Sequence, residues 1–173
     1  MKRISVGLLT LALLLVIGCS GGNGDLEVAS DQAPLPDGLF VSEAPADPLS
    51  IVDLKSADHT GKEVFVTGQI GGQEAPFVED RAMFTMTDLT LPVCEAAKGD
   101  NCETPWDSCC ETPESIRAKM ITVQVVDENG QVVKRDIQDE HGLKGLAQLT
   151  VRGTVSQQSG EVVVVDAREI YVH

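Results

Sequence analysis

Val66-Thr67-Gly68-Gln69-Ile70 and Val151-Arg152-Gly153-Thr154-Val155 are the two stretches on which the fold turns. Each reads valine, polar residue, glycine, polar residue, β-branched residue, the period-2 alternation of a strand with one buried face. Glycine weakens a strand interior, so its place here marks a bend, a bulge or a close backbone approach. Small barrels need such points at their corners. Two strands with the same device, one early and one late, predict a sheet that closes on itself, with a β-sandwich as the alternative.

Working outward, further strands are expected at Met83–Leu89, at Ile121–Val125 and from Leu149 onward. Asn129-Gly130 predicts a type I′ hairpin, with Gln131–Ile137 as the returning strand. Ser159-Gly160 predicts a turn into Glu161–Asp166, whose four consecutive valines suggest burial on both faces; Ala167–Val172 extends that strand or bends away. Ser50-Ile51-Val52-Asp53 fits a capping box, so a short helical turn opens the folded part. Five or six strands on this plan resemble an OB-fold, a five-stranded Greek-key barrel. The resemblance implies a helix between the third and fourth strands, where Gln138–Gln148 lies, although Gly142 and Gly145 make it a poor helix. The expected class is mainly β, an OB-fold-like barrel over residues 50–173.

At the other end, Lys2-Arg3 precedes an apolar run, Val6–Ile17, of the length of an export signal. The run is too short to span a bilayer, which takes ~20 apolar residues. It closes on Val16-Ile17-Gly18-Cys19, which resembles the lipobox of bacterial lipoproteins. That resemblance implies removal of residues 1–18, a diacylglyceryl group on the Cys19 thiol, and attachment to the membrane of the cell envelope. Ser20 stands where many inner-membrane lipoproteins carry aspartate, which favours the outer membrane in a host with two.

Without residues 1–18, 11 Lys and Arg face 27 Asp and Glu, a net charge near −16. Such a balance repels nucleic acid and anionic headgroups, so the barrel is not expected to bind nucleic acid, and anchoring falls to the lipid. The few aromatic residues also supply no stacking platform. Residues 19–49 hold several glycines, Pro34, Pro36, Pro45 and Pro48, and only isolated apolar residues, the composition of a disordered tether.

Residues 91–120 interrupt the strand pattern with Cys94, Cys102, Cys109 and Cys110. In an exported chain four cysteines suggest two disulfides. A Cys109–Cys110 bond is disfavoured by disulfide geometry. That leaves Cys94–Cys109 with Cys102–Cys110, or Cys94–Cys110 with Cys102–Cys109. The alternative is a metal site, since thiolates favour copper(I) or zinc, with Glu103, Asp107 and Glu111 as further oxygen ligands. The spacing matches neither common zinc modules nor ferredoxins. Thr104-Pro105-Trp106-Asp107 lies between Cys102 and Cys109, and Trp106 is expected to be a lid over the cysteines. The whole stretch is similar to a Cys-x-Thr-Pro-Trp-Asp-x-Cys-Cys motif in an uncharacterised family of bacterial lipoproteins; the resemblance groups the chain but implies no activity.

No nucleophile elbow, His-Glu-x-x-His or phosphate loop occurs, and His59, His141 and His173 are scattered. The sequence therefore predicts a lipid-anchored, non-catalytic envelope module without cofactor, presenting a disulfide-stabilised loop to an envelope protein or small ligand. A copper- or zinc-binding lipoprotein is the alternative.

Overall fold

The computed structural model describes residues 32–94 and 102–173. The expected export signal, Cys19, the tether up to residue 31 and residues 95–101 of the insertion lie outside the described residues. The elements in chain order are β1 (Leu49–Ser50), α1 (Ile51–Lys55), β2 (Glu63–Ile70), β3 (Met83–Thr87), α2 (Pro113–Ala118), β4 (Met120–Val125), β5 (Gln148–Ser159) and β6 (Val162–Val172). No helix among the described residues is long and apolar enough to cross a membrane.

The sheet runs β1-β2-β3-β4-β6-β5, and β5 returns to pair with β2. Strands β2 to β6 thus close a five-stranded barrel, in which β4 and β6 run parallel and every other neighbouring pair is antiparallel. This is the expected OB-fold-like Greek-key barrel. The two echoing stretches are partners: Val66 stands opposite Val151 in the β2–β5 ladder. Their glycines mark close approaches. A Cβ on Gly68 would stand 2.5 Å from the Thr87 carbonyl oxygen, and one on Gly153 2.5 Å from that of Asp166. Opposite Arg152 and Gly153 the register skips Arg168, a bulge in β6, and a second bulge at Ser156 in β5 likewise helps the strands bend around the barrel.

Alternate side chains of β2 and β5, among them Val66, Ile70, Leu149 and Val151, fill the interior around Phe84. The short α1 adds Ile51 and Leu54 to that core. Its start is as the capping box predicts, with the Ser50 hydroxyl accepting from Asp53 N. Asp88, just past β3, adds a second cap by accepting from Val52 N.

Four local expectations are corrected. Asn129-Gly130 turns the chain, but only Gly130 takes positive φ, while the Asp127 carboxylate accepts from Asn129 N and Gln131 N. Aspartate at the first position and a left-handed glycine at the fourth give a type I turn with a bulge, not type I′. Gln131–Ile137 returns through a single bridge, Val126 to Val132, and through Val133, which donates to Val125 O and accepts from Ala82 N. Gln138–Gln148 forms one 3₁₀ turn, Glu140–Gly142, because Asp139, His141, Gly142 and Leu146 all take positive φ. Glu161–Asp166 is buried on one face only: Val162 is 52% exposed and Val163 1%. The strand continues unbroken to Val172.

The boundary at residue 49 also moves. Leu39 is 2% exposed within the core, and Ala33, Leu35 and Phe40 pack against it. Ile170 N donates to Leu39 O and Val41 N donates to Ile170 O, so this segment runs parallel to the end of β6. Strand β4 pairs with β6 only as far as Ala167, and the segment takes the backbone groups beyond it. Its prolines do not prevent this, since they favour the extended backbone that an edge accepts.

Candidate metal centre

After β3 the chain turns on Asp88, whose Oδ1 accepts from Thr90 N and Thr90 Oγ1, and buried Leu91 brings it to Cys94. The second half of the insertion meets it there, because Cys94 N donates to Pro105 O at 3.0 Å. Pro105–Asp107 forms one 3₁₀ turn with proline in the first turn, and the buried Ser108 reverses the chain in a left-handed conformation, φ +53°. Cys109 and Cys110 follow, exposed. Thr112 then caps α2 with Pro113 at its first position and Glu114 in its first turn, as expected.

Asp107 ties this loop together. Its Oδ1 accepts from Cys109 N and its Oδ2 from Thr104 Oγ1, each at 2.8 Å. Burial by itself would raise this carboxyl; the hydrogen bonds from Cys109 N and Thr104 outweigh it and hold Asp107 below the ordinary carboxylate value. The loop thus presents an ionised oxygen beside the sulfurs.

All four cysteines are free thiols in the structure. Cys94 is the buried one and stands at the centre: its Sγ lies 3.1 Å from Cys109 Sγ, 3.8 Å from Cys110 Sγ and 3.8 Å from Asp107 Oδ1. A bonded disulfide needs about 2.05 Å, so neither expected two-disulfide pairing is formed. Donor atoms of Cys94, Cys102, Asp107 and Cys109 all lie within 4.8 Å of one another. In a tetrahedral zinc site the sulfurs, each ~2.3 Å from the ion, stand about 3.8 Å apart, a value the observed spacings bracket. Three soft sulfurs and one carboxylate fit zinc, and the three sulfurs alone fit copper(I). The hydrogen bonds to Cys94 and then to Asp107 hold the Cys109 thiol well above its ordinary value, a balance that a bound cation reverses by stabilising the thiolate.

The donor set differs from the four sulfurs of the insertion. Asp107 joins it, and Cys110 flanks it. Glu111, a candidate oxygen ligand, instead accepts from Ser115 Oγ. None of the three histidines joins the cluster: His59 N pairs with Gln158, His141 stacks on Phe40, and His173 meets Thr150 and Tyr171.

Trp106 faces the barrel rather than capping the cysteines. Its carbonyl accepts from Gly72 N at 2.8 Å, and its indole N–H donates to Glu74 O at 3.0 Å. A Cβ on Gly71 would lie 2.4 Å from the Trp106 carbonyl oxygen, and one on Gly145 would lie 2.6 Å from the ring. Glycine is required at both positions because the tryptophan occupies the space. Trp106 is therefore the anchor of the insertion, and it also walls a hollow of about 420 Å³ with Phe77, Gln138 and Lys144. The signal was present in the sequence as Gly71-Gly72 directly behind β2 and Gly145 shortly before β5.

Comparison with protein-family models, with curated proteins and with solved structures returns no match to this chain.

Proposed function

We propose that this chain is a lipid-anchored binding protein of the bacterial cell envelope, non-catalytic, whose barrel carries a site for a thiophilic metal ion, zinc or copper(I). The observation that carries the reading is the convergence of Cys94, Cys102, Asp107 and Cys109 within 4.8 Å. Exported cysteines without a metal have no need of a carboxylate among them, and Asp107 is held ionised by hydrogen bonds that leave it facing Cys94. Anchoring rests on Val16-Ile17-Gly18-Cys19, and Ser20 favours the outer membrane where there are two. The acidic balance argues against nucleic acid as a partner.

Protein purified from its native membranes under nitrogen should carry one equivalent of zinc or copper. Chelation should then expose titratable thiols, and Cys94→Ser should abolish loading. Metal-free material with four reduced thiols that takes up neither ion would overturn the site. Cys19→Ser should abolish partitioning into detergent; a wild-type chain recovered soluble and without lipid would overturn the anchor. The 3.1 Å approach of Cys94 to Cys109 supports a second reading, a disulfide-held loop presented to an envelope protein or small ligand.

A further inference from the structure

We infer that the cysteine site is redox-gated: Cys94 and Cys109 either share a metal ion or bond to each other, and forming that bond ejects the ion. The inference rests on the metal reading above and concerns how the same site is emptied. Three observations carry it. Cys94 Sγ and Cys109 Sγ lie 3.1 Å apart, against 3.8 Å from Cys94 to Cys110, so bonding requires them to approach by about 1 Å. Both belong to the four-donor set, so their union leaves the ion only Cys102 and Asp107. The two partners also differ in access, Cys94 being buried and Cys109 exposed.

That difference in access sets the order of the chemistry. The oxidant is an external disulfide, written RSSR, of a small thiol or an envelope oxidoreductase. It can reach Cys109 but not Cys94. The Cys109 thiolate attacks one sulfur of RSSR, forming a mixed disulfide Cys109–S–S–R and releasing RS⁻. The Cys94 thiolate, already in contact, attacks the Cys109 sulfur, forms Cys94–Cys109 and releases a second RS⁻. Two thiolates have lost two electrons, RSSR has gained them, and the metal cation leaves with its two sulfur donors gone. Reduction by a dithiol reverses each step and restores the site. Cys110, 3.8 Å from Cys94, is the competing thiol, and it lies outside the donor set.

The test uses the full mature chain, reduced and loaded with zinc alone. The first measurement is loading: one zinc per chain is expected, and failure to bind zinc or copper(I) overturns the parent reading and the gate together. The second is titration with oxidised glutathione while a chromogenic chelator reports free zinc and peptide mapping reports linkage. Expected is release of one zinc for each pair of thiols consumed, with Cys94 linked to Cys109, and recovery of binding after reduction. Cys110→Ser should load and release zinc as the wild type does. Zinc retained after Cys94 and Cys109 are linked, or zinc released while both remain unlinked, would overturn the gate and leave the metal site standing. Linkage of Cys94 to Cys110 in the wild type, with zinc retained, would overturn it as well.

Discussion

The barrel strands hold one another through ladder hydrogen bonds and a shared apolar interior, whereas residues 88–94 and 102–111 rely on side chains bonded to nearby backbone. In the first, Val66, Phe84, Val151 and Ile170 are fully buried, and each strand's position is fixed by two neighbours. In the second, Asp88, Thr90, Thr104 and Asp107 close local turns, and Trp106 at one end and Asp88 at the other tie it to the barrel and α1. The difference separates two properties. Stability resides in the barrel, and the proposed metal chemistry in a loop whose shape is set by a few polar bonds.

The largest effect should come from cutting into the barrel's apolar interior where the sequence looked least folded. Leu39→Ala should lower unfolding stability by about 3 kcal/mol, the range for truncating a buried leucine, read from urea denaturation by circular dichroism. A change within the noise would return residues 33–41 to the tether. A smaller effect of a different kind is expected at the anchor. Trp106→Ala should weaken zinc binding roughly tenfold, about 1.4 kcal/mol, because the turn carrying Asp107 and Cys109 loses its support. Its urea midpoint should move less than that of Leu39→Ala. Equal loss of stability in the two variants would erase the distinction between the regions.

The smallest effect concerns Asp88, where the two regions join. Burial would raise this carboxyl, but hydrogen bonds from Thr90 and the α1 backbone outweigh it and hold it below its ordinary value. A carboxyl lowered on folding contributes stability that is complete above the unfolded value of ~3.9 and is lost as pH falls through the folded one. Asp88→Asn should therefore cost about 1 kcal/mol at neutral pH. Acid titration of both proteins should show the gap narrowing below pH ~4; a gap independent of pH would mean the charge is not what matters.

The barrel was legible because period-2 alternation and strand glycines are local signals with one physical meaning. Val66-Thr67-Gly68 and Val151-Arg152-Gly153 announced a closure that the register then made literal, each stretch lying against the other. Local signals failed where tertiary contacts decide. Leu39 and Phe40 sit among prolines and carry no periodicity; only the unpaired end of β6 explains why they dock. The valine run read as doubly buried because composition alone cannot tell a barrel's outer face from its inner one. At the site, the sequence placed four cysteines and Asp107 within one insertion. It could not supply their distances, on which the choice between bonded pairs and a shared centre depends. Nor could it show that Asp107 turns inward while Cys110 stays at the rim.

The seat of Trp106 also imposes an order of assembly. Gly71 and Gly72 follow β2, Gly145 precedes β5, and Ile70 N donates to Ala147 O while Leu146 N donates to Ile70 O, so the seat exists only once the far ends of the domain have met. Such non-local closure is the slow part of folding a barrel. Until it happens, Cys94, Cys102, Cys109 and Cys110 belong to an open chain that does not hold Cys94 beside Cys109. On the proposed envelope reading, a newly exported molecule has an interval in which its thiols must be shielded from oxidants.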